Sequence, residues 1–500
     1  MQAVNIYALT RLAKCEVFSN FEKALSLREE MLKIKYEEIE LIRNLIENMG
    51  GDKTPLAILD NWFYSFSIPQ IGKEFDLLKI DKNGIVVNLE LKSQMVSEKK
   101  IEKQLKQNRY YLSHIGKVIY SFTYVKESPW SAQLYVYDGE LRKSSLEELI
   151  ERLAEIKEPI VQNIESYFRP KDFLISPLNT PEKFLSGKYY LSTQQESIKK
   201  EVITAAGETG GLWGIQGSAG TGKTLLLYDI AKSLSVKTKV CVIHCGMLSN
   251  GHKYINKYAN NMQVIDAKSL AKEKLEGYGI VCVDETQRLY TSGLDTILEM
   301  YNTGSVKMCI FAYDYAQVLS KTERTRNNPQ RLSDINGFTE RRLTDKIRTN
   351  KEVNSFIRTM MRLDDKPQTQ ISYSNIDILY ANNGREADTL IKSYIKRGYT
   401  FITFTPSQYV RSSIDRYSRY INSHQVIGQE FNNVVVVLDN NFRYSKEGIL
   451  QGRKHPNPDY IFPKLFYQNI SRAREKLCIV VLDNIDLFTK LIGIKEHIDM

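Results

Sequence analysis

The chain has 500 residues, too many for one hydrophobic core, so about two to four domains of ordinary size are expected. Its 42% hydrophobic and 26% charged content is that of a globular protein, and the absence of a leader or a long apolar run predicts a cytoplasmic protein with no membrane partner. A net charge of +10 favours a polyanionic partner, and six scattered cysteines without C-x-x-C spacing exclude a disulfide framework or zinc knuckle.

Phe21 to Asn48 contain no Gly or Pro and place Leu25, Met31, Ile34, Ile39, Leu41 and Leu45 at helical intervals. This predicts one amphipathic helical stretch closed by Gly50-Gly51. From Trp62 the period changes to alternation, and Phe63–Ile68, Phe75–Ile80 and Ile85–Lys92 read as strands, the last two joined by the hairpin turn Asp81-Lys82-Asn83-Gly84. Alternation sets Val87, Leu89 and Leu91 on one face and Asn88, Glu90 and Lys92 on the other, within reach of Asp76 on the antiparallel neighbour. An Asp followed by E-x-K on the next strand suits metal-dependent phosphodiester cleavage. Asp76 and Glu90 are the candidate ligands for Mg²⁺, with Mn²⁺ as an alternative and the Leu91 carbonyl as a further donor; Lys92 would position or activate water and steady the charge at phosphorus.

The run Gly72-Lys73-Glu74-Phe75-Asp76 through Glu90-Leu91-Lys92 resembles the PD-(D/E)XK nuclease superfamily, although Phe75 stands where the superfamily name has Pro. Gln107-Asn108-Arg109-Tyr110-Tyr111 adds a Q-x-x-x-Y similar to that of RecB-like nucleases. The resemblance implies a restriction-endonuclease-like α/β domain over 51–145, preceded by a helical segment over 1–50, with the upstream acid of the site open between Glu40 and Glu47. Val118–Phe122 and Leu134–Tyr137 read as further strands. A helix is expected from about Ser145 to Ile164 and an extended linker from Phe168 to Gly187, so that 146–186 form helix and linker.

Gly217-Ser218-Ala219-Gly220-Thr221-Gly222-Lys223-Thr224 then matches G-x-x-x-x-G-K-[ST] between a strand and a helix. Gly217, Gly220 and Gly222 let the backbone turn its N–H groups toward phosphates, Lys223 neutralises the outer phosphates and Thr224 ligates Mg²⁺, so ATP is the expected cofactor. Ile280–Glu285 is an apolar strand ending in two acids. A carboxylate at the end of a parallel strand faces the phosphate crevice, which assigns Asp284 to Mg²⁺ and Glu285 to the attacking water.

In order along the chain, these and later motifs resemble superfamily 1 helicases. Leu191-Ser192-Thr193-Gln194-Gln195 places Gln195 at the adenine edge, and Asp284-Glu285-Thr286-Gln287-Arg288 has the D-E-x-Q-R form, with Gln287 among the nucleotide contacts. Tyr313-Asp314-Tyr315-Ala316-Gln317 resembles motif III, with Gln317 sensing the γ-phosphate and Tyr313 replacing the usual Gly. Leu343 to Thr349 resembles motif IV, which makes Arg348 a γ-phosphate ligand. His424 to Phe431 resembles motif V, with Gly428 at the nucleotide and Glu430 at the ribose, and Tyr467 to Arg474 resembles motif VI, with Arg472 as the arginine finger. The likeness spans 187–500 in its Schlafen-type form. It implies two RecA-like P-loop domains with parallel sheets, over 187–355 and 356–500, with ATP at their interface.

Sixty positions separate Thr224 from Asp284 and eighty separate Arg348 from Gly428, too few for large insertion domains, which predicts a compact single-strand translocase. The expected function is an ATP-dependent superfamily 1 DNA helicase or translocase fused to a Mg²⁺-dependent nuclease. By likeness it would serve bacterial DNA processing or antiphage defence, with single-stranded DNA as the partner. Two alternatives stay open: a nucleic-acid-sensing ATPase with a non-catalytic N-terminal module, and the same enzyme acting on RNA. A homo-oligomer or a defence-system partner protein is compatible with each.

Overall fold

The hairpin turn Asp81–Gly84 joins β2 (Glu74–Ile80) to β3 (Ile85–Lys92) at the centre of the first sheet. The sheet is completed by β1 (Phe63–Ser67), β4 (Val118–Ser128), β5 (Ser131–Tyr137) and β6 (Leu141–Ser144), with the spatial order following the chain. Every pairing is antiparallel except β3 with β4, and a parallel pair needs a crossover, which the helix Glu98–Leu112 supplies. The computed structural model describes residues 1–12, 17–28, 31–32, 35–68, 73–128, 131–168, 175–270, 275–344, 350–367, 371–406, 413–452 and 459–498. Met1–Phe173 and Leu174–Met500 are two compact units.

In the first unit both sheet faces are covered. Ile39, Ile42, Leu45 and Ile46 of the helix Tyr36–Asn48 pack with Leu77, Val87, Leu89 and Leu91, while Ile101 and Leu105 pack with Val125 and Tyr135 on the other face. The polar row of β3 therefore lies under the crossover helix instead of facing water.

Two helical expectations change. The stretch Phe21–Asn48 is not one helix: Phe18–Ser26 ends at Leu27, whose φ of +50° is left-handed, and a new helix starts at Tyr36. Arg28 is drawn into tertiary bonds there, donating to Tyr64 O at 2.7 Å and Ser65 O at 3.2 Å, and Met31 is exposed. The helix expected from Ser145 to Ile164 spans only Leu146–Ala154. The N–H groups of Lys157 and Glu158 donate instead to the Asp81 carboxylate at 2.8 and 2.7 Å, and Pro159 cannot continue a helix.

The second unit holds two parallel sheets. The first runs β12-β7-β11-β10-β8-β9 in space, from β7 (Gly211–Gly217), β8 (Val240–His244), β9 (Met262–Asp266), β10 (Ile280–Asp284), β11 (Met308–Tyr313) and β12 (Thr339–Leu343). The second uses β13 (Ile376–Ala381), β14 (Thr400–Phe401), β15 (Phe431–Leu438) and, beyond the small ribbon of β16 (Arg443–Tyr444) and β17 (Leu450–Gln451), β18 (Ala473–Leu482), in the order β13-β18-β15-β14. Parallel strands are buried on both faces and so carry continuous apolar runs, as Val434–Leu438 and Leu477–Val481 do. The segment Phe168–Gly187 is more than a linker. Its residues 169–174 lie outside the described residues, while Leu178 and Phe184 are buried in the core of the second unit, the latter on the short helix Pro181–Leu185. Among the described residues no helix is long and apolar enough to cross a membrane.

Candidate functional sites

In the first unit, Asp76 and Glu90 flank the paired residues Leu77 and Leu89 and fall by alternation on the same sheet face. Asp76 is 8% and Glu90 0% exposed, so neither is a solvated hairpin acid. Asp76 Oδ2 accepts from Leu91 N–H at 2.8 Å, and Lys92 Nζ stands 4.0 Å from both Asp76 Oδ2 and Glu90 Oε2. Burial, and after it the charge of Glu90, push the Asp76 carboxyl up to about 7 against the pull of Lys92. Two acids removed from water and set close together repel unless a cation neutralises them.

Glu90 is held by amides that the sequence did not point to. Asn108 Nδ2 donates to Glu90 Oε1 at 2.7 Å and to Asn88 Oδ1 at 2.8 Å, Asn88 Nδ2 donates to Glu90 Oε1 at 3.1 Å, and Gln104 Nε2 donates to Glu90 Oε2. The Q-x-x-x-Y pair itself, Gln107 and Tyr111, lies further round the helix, with Tyr111 buried edge-on against Tyr110. A register signal exists for Asn108, which continues the buried face of Ile101 and Leu105.

The upstream helix also reads differently. Glu47 is exposed and Glu40 pairs with Arg43 at 2.8 Å, whereas half-buried Glu38 shares the field of Asp76. Burial, eased by a 2.9 Å hydrogen bond from Lys35 Nζ and reinforced by Asp76 and Glu74, holds the Glu38 carboxyl above its ordinary value. Lys73 is a second cation near the acids, its ammonium pushed down by burial against the opposing pull of Glu90 and Asp76.

In the second unit the loop after β7 wraps as its glycines dictate. Gly220 and Gly222 take φ of +80° and +82°, and a Cβ on Gly217 would meet Thr221 Oγ1 at 2.5 Å. Gly222 caps the helix Lys223–Leu234 with no side-chain acceptor, which leaves the first N–H groups of that helix to the loop. Lys223 Nζ donates to Ser218 O at 3.1 Å and stands 4.0 Å from Asp314 Oδ2; Thr224 Oγ1 donates to the Asp284 carboxylate at 3.3 Å. Gln195 is buried, its Oε1 accepting from Ser192 N–H at 3.0 Å in a capping box and its Nε2 donating to Thr221 O at 3.3 Å and Gly222 O at 3.4 Å. As placed, its side chain braces the loop.

Glu285 follows β10 in the left-handed region at φ +59°, a conformation that costs a non-glycine residue about 1–2 kcal/mol. Gln287 Nε2 at 2.7 Å and Arg288 Nε at 3.1 Å both donate to its Oε2, and Gln287 Oε1 accepts from Asp314 N–H at 3.3 Å. Burial would raise the Glu285 carboxyl, but Arg288, Lys223 and Arg472 outweigh it and hold the group at about 2. An acid so placed can orient and polarise water while remaining ionised. Arg288 Nη1 and Nη2 and Gln317 Oε1 are buried without hydrogen-bond partners among the described residues.

The second sheet contributes Arg472, in the turn ahead of β18, with Nε donating to Gln468 O at 3.2 Å and Nη1 to Gln429 O at 3.4 Å. Burial lowers its pKa while the charges of Glu285 and Glu430 support its ionised form, so Arg472 is electrostatically joined to the acid of the first sheet. Glu430 is paired with Arg474 at 2.9 Å, a partner the sequence did not point to. Gly428 sits at φ +73° ahead of β15. Arg348, with the rest of 345–349, lies outside the described residues.

Among the described residues no group of three or more His, Cys, Asp or Glu side chains could hold a metal ion. Mg²⁺ does not require one: it is commonly bound through one or two carboxylates, with water and phosphate completing an octahedron. Asp76 with Glu90, and Asp284 with the Thr224 hydroxyl, are hard oxygen donors of that kind.

Residues 212–401, from β7 to β14, match the family described as Schlafen group 3, DNA/RNA helicase domain. This stretch is therefore similar to a helicase domain, an ATP hydrolase that works on nucleic acid, and the match lies wholly in the second unit. Among solved structures the chain is similar to unliganded Pif1 from Bacteroides sp, at 14% identity over 61% of this chain and 96% of that one, with a TM-score of 0.30. It is also similar to a DNA replication initiation factor, at 16% identity over 46% of this chain and 64% of that one, with a TM-score of 0.21. Both scores are too low to carry an argument about fold or activity. No curated protein matches the chain.

Proposed function

We propose that the chain is an ATP-driven superfamily 1 motor on single-stranded DNA, fused to a Mg²⁺-dependent DNA nuclease of restriction-endonuclease-like fold, and that it serves bacterial DNA processing or antiphage defence. The observation that carries the reading is the burial of charge at two places. Asp76 and Glu90 on one side, and Lys223, Asp284 and Glu285 on the other, are each charged groups under 10% exposed. Such burial is costly unless a ligand repays it.

In the motor, the N–H groups around Gly217, Gly220 and Gly222 cradle phosphates, Lys223 neutralises them, and Glu285 aligns water for in-line attack. Arg472 from the second sheet, with Arg348, stabilises the developing charge, Gln287 and Gln317 report the γ-phosphate, and Gln195, Gly428 and Glu430 meet the base and ribose. Thr224 with Asp284, and Asp76 with Glu90, would hold Mg²⁺, which supplies charge neutralisation at phosphate in both places, Mn²⁺ serving equally in the second. Lys92 then positions the water or steadies the phosphorane charge.

A second reading, a nucleic-acid-sensing ATPase with a non-catalytic first unit, is favoured by one feature: both oxygens of Glu90 already accept from amides. The test is cleavage of labelled single-stranded DNA, duplex DNA and matched RNA with Mg²⁺, with and without ATP, by the wild type, Lys92→Ala and Lys223→Ala. Cleavage lost in Lys92→Ala, with ATP turnover lost in Lys223→Ala, is expected. Cleavage unchanged by Lys92→Ala would sink the nuclease assignment, preference for the RNA strand would move the substrate, and turnover surviving Lys223→Ala would sink the motor.

A further inference from the structure

We propose that His244 is a positioning residue that fixes the Mg²⁺-holding acid Asp284 and ties it to the second sheet of the motor, an inference that rests on the ATPase reading above. His244 ends β8 directly beside Asp284, its register partner at the end of β10. The imidazole is fully buried, with Nδ1 at 3.2 Å from Asp284 Oδ2. A carboxylate oxygen only accepts, so Nδ1 carries a proton and donates it to Asp284. The same carboxylate takes the Thr224 hydroxyl, so that among the described residues it has two side-chain supports: Thr224 at the phosphate loop and His244 on the neighbouring strand.

What surrounds the other side of the ring comes from further along the chain. Nε2 is buried without a hydrogen-bond partner among the described residues. A Cβ on Gly246 would lie 2.7 Å from Nε2 and 3.0 Å from Ile427 Cγ2, and a Cβ on Gly428 would lie 3.2 Å from His244 Cε1. Ile427 and Gly428 belong to the segment that leads into β15 of the second sheet, and Gly428 is there in the left-handed region. The His252 ring backs His244 at a centroid distance of 4.4 Å, so the imidazole has no room to swing aside. Movement of Ile427–Gly428 against the first sheet therefore bears on His244, whose hydrogen bond runs to Asp284. A side chain that orients a metal-binding carboxylate from behind tunes metal affinity without touching the metal. His244 is placed to do this, and to make Mg²⁺ retention depend on the position of the second sheet.

The experiment uses the full chain and two readouts: the Mg²⁺ concentration at half-maximal binding of a fluorescent non-hydrolysable ATP analogue, and the melting temperature. His244→Phe is expected to raise that Mg²⁺ concentration about tenfold or more, while His244→Asn, whose amide nitrogen takes the place of Nδ1, recovers most of the loss. Gly246→Ala, whose Cβ would meet His244 Nε2 at 2.7 Å, is expected to raise it too, and by less when His244 is Asn, because the two share one contact. His244→Gln, which puts its amide at the Nε2 position, replaces the Phe variant if Phe melts early, and should fail to recover. A half-point unmoved by Phe or Gln, an Asn variant no better than Gln at equal melting temperature, or strictly additive effects with Gly246→Ala would each overturn the inference. Absence of ATP turnover in the wild type would instead overturn the reading beneath it.

Discussion

Asn108 occupies a helix position that would ordinarily carry an apolar side chain, and a buried amide without partners costs about 1–3 kcal/mol. Its partners are Asn88 and Glu90, so the helix and β3 share one polar network inside the fold. That network fixes the orientation of Glu90 relative to Asp76, and Gln104 completes it from one turn earlier. Gln104→Ala is accordingly expected to lower Mg²⁺-dependent cleavage by about 10–100-fold and to raise the Mg²⁺ requirement, with Asn108→Ala doing the same and also lowering the melting temperature. Cleavage rates across a Mg²⁺ series check this; wild-type rates in both variants would make the amides mere packing. Asp76, Glu90 and Lys92 were legible in the sequence because a period of two fixes which side chains share a face. Gln104, Asn108 and Glu38 were not, because only the crossing of helix over sheet decides which turn of a helix meets which strand residue.

The same division holds for whole elements. Of the parallel strands, the one ahead of the phosphate loop and Ile280–Glu285 were legible, the latter as an unbroken apolar run closed by acids, but the break at Leu27 and the early stop at Ala154 depend on distant partners, Tyr64 and Asp81, that no local pattern announces. The helix Asn250–Tyr258 shows a further device: its capping box uses His252 where Glu or Gln is usual, with Ser249 N–H donating to His252 Nδ1 at 2.8 Å. The cap requires a neutral ring. Burial, and then the neighbouring His244, push the folded-state pKa of His252 from 6.5 down to about 2. The unfolded chain thus takes up this proton first as pH falls, so the contribution is complete above about pH 6.5 and is lost below it at about 1.4 kcal/mol per pH unit. His252→Gln keeps an acceptor at the cap and removes the titration. Denaturant unfolding at pH 7, 6 and 5 should show the wild type losing ground to His252→Gln by about that slope, and parallel pH profiles for the two proteins would contradict the assignment.

For the whole molecule, the decisive feature is that the described residues of each proposed constellation lie within one unit. Asp76, Glu90, Lys92, Gln104 and Asn108 all lie in Met1–Phe173, and every described residue assigned to the ATP site lies in Leu174–Met500. Each unit also has a hydrophobic core of its own, so neither set of charged groups needs the other to be assembled. Effects of substitutions at sites that share no partners add independently. It follows that Lys92→Ala should leave strand-stimulated ATP turnover within about twofold of wild type, and that Lys223→Ala should leave cleavage measured without nucleotide within the same range. On the proposed reading, any influence of ATP on cleavage should disappear in Lys223→Ala. Parallel assays of turnover and of labelled-strand cleavage on the two variants test this directly. Loss of ATP turnover in Lys92→Ala, or loss of nucleotide-free cleavage in Lys223→Ala, would show that the two constellations depend on one another, and that the chain works as one site divided between two units.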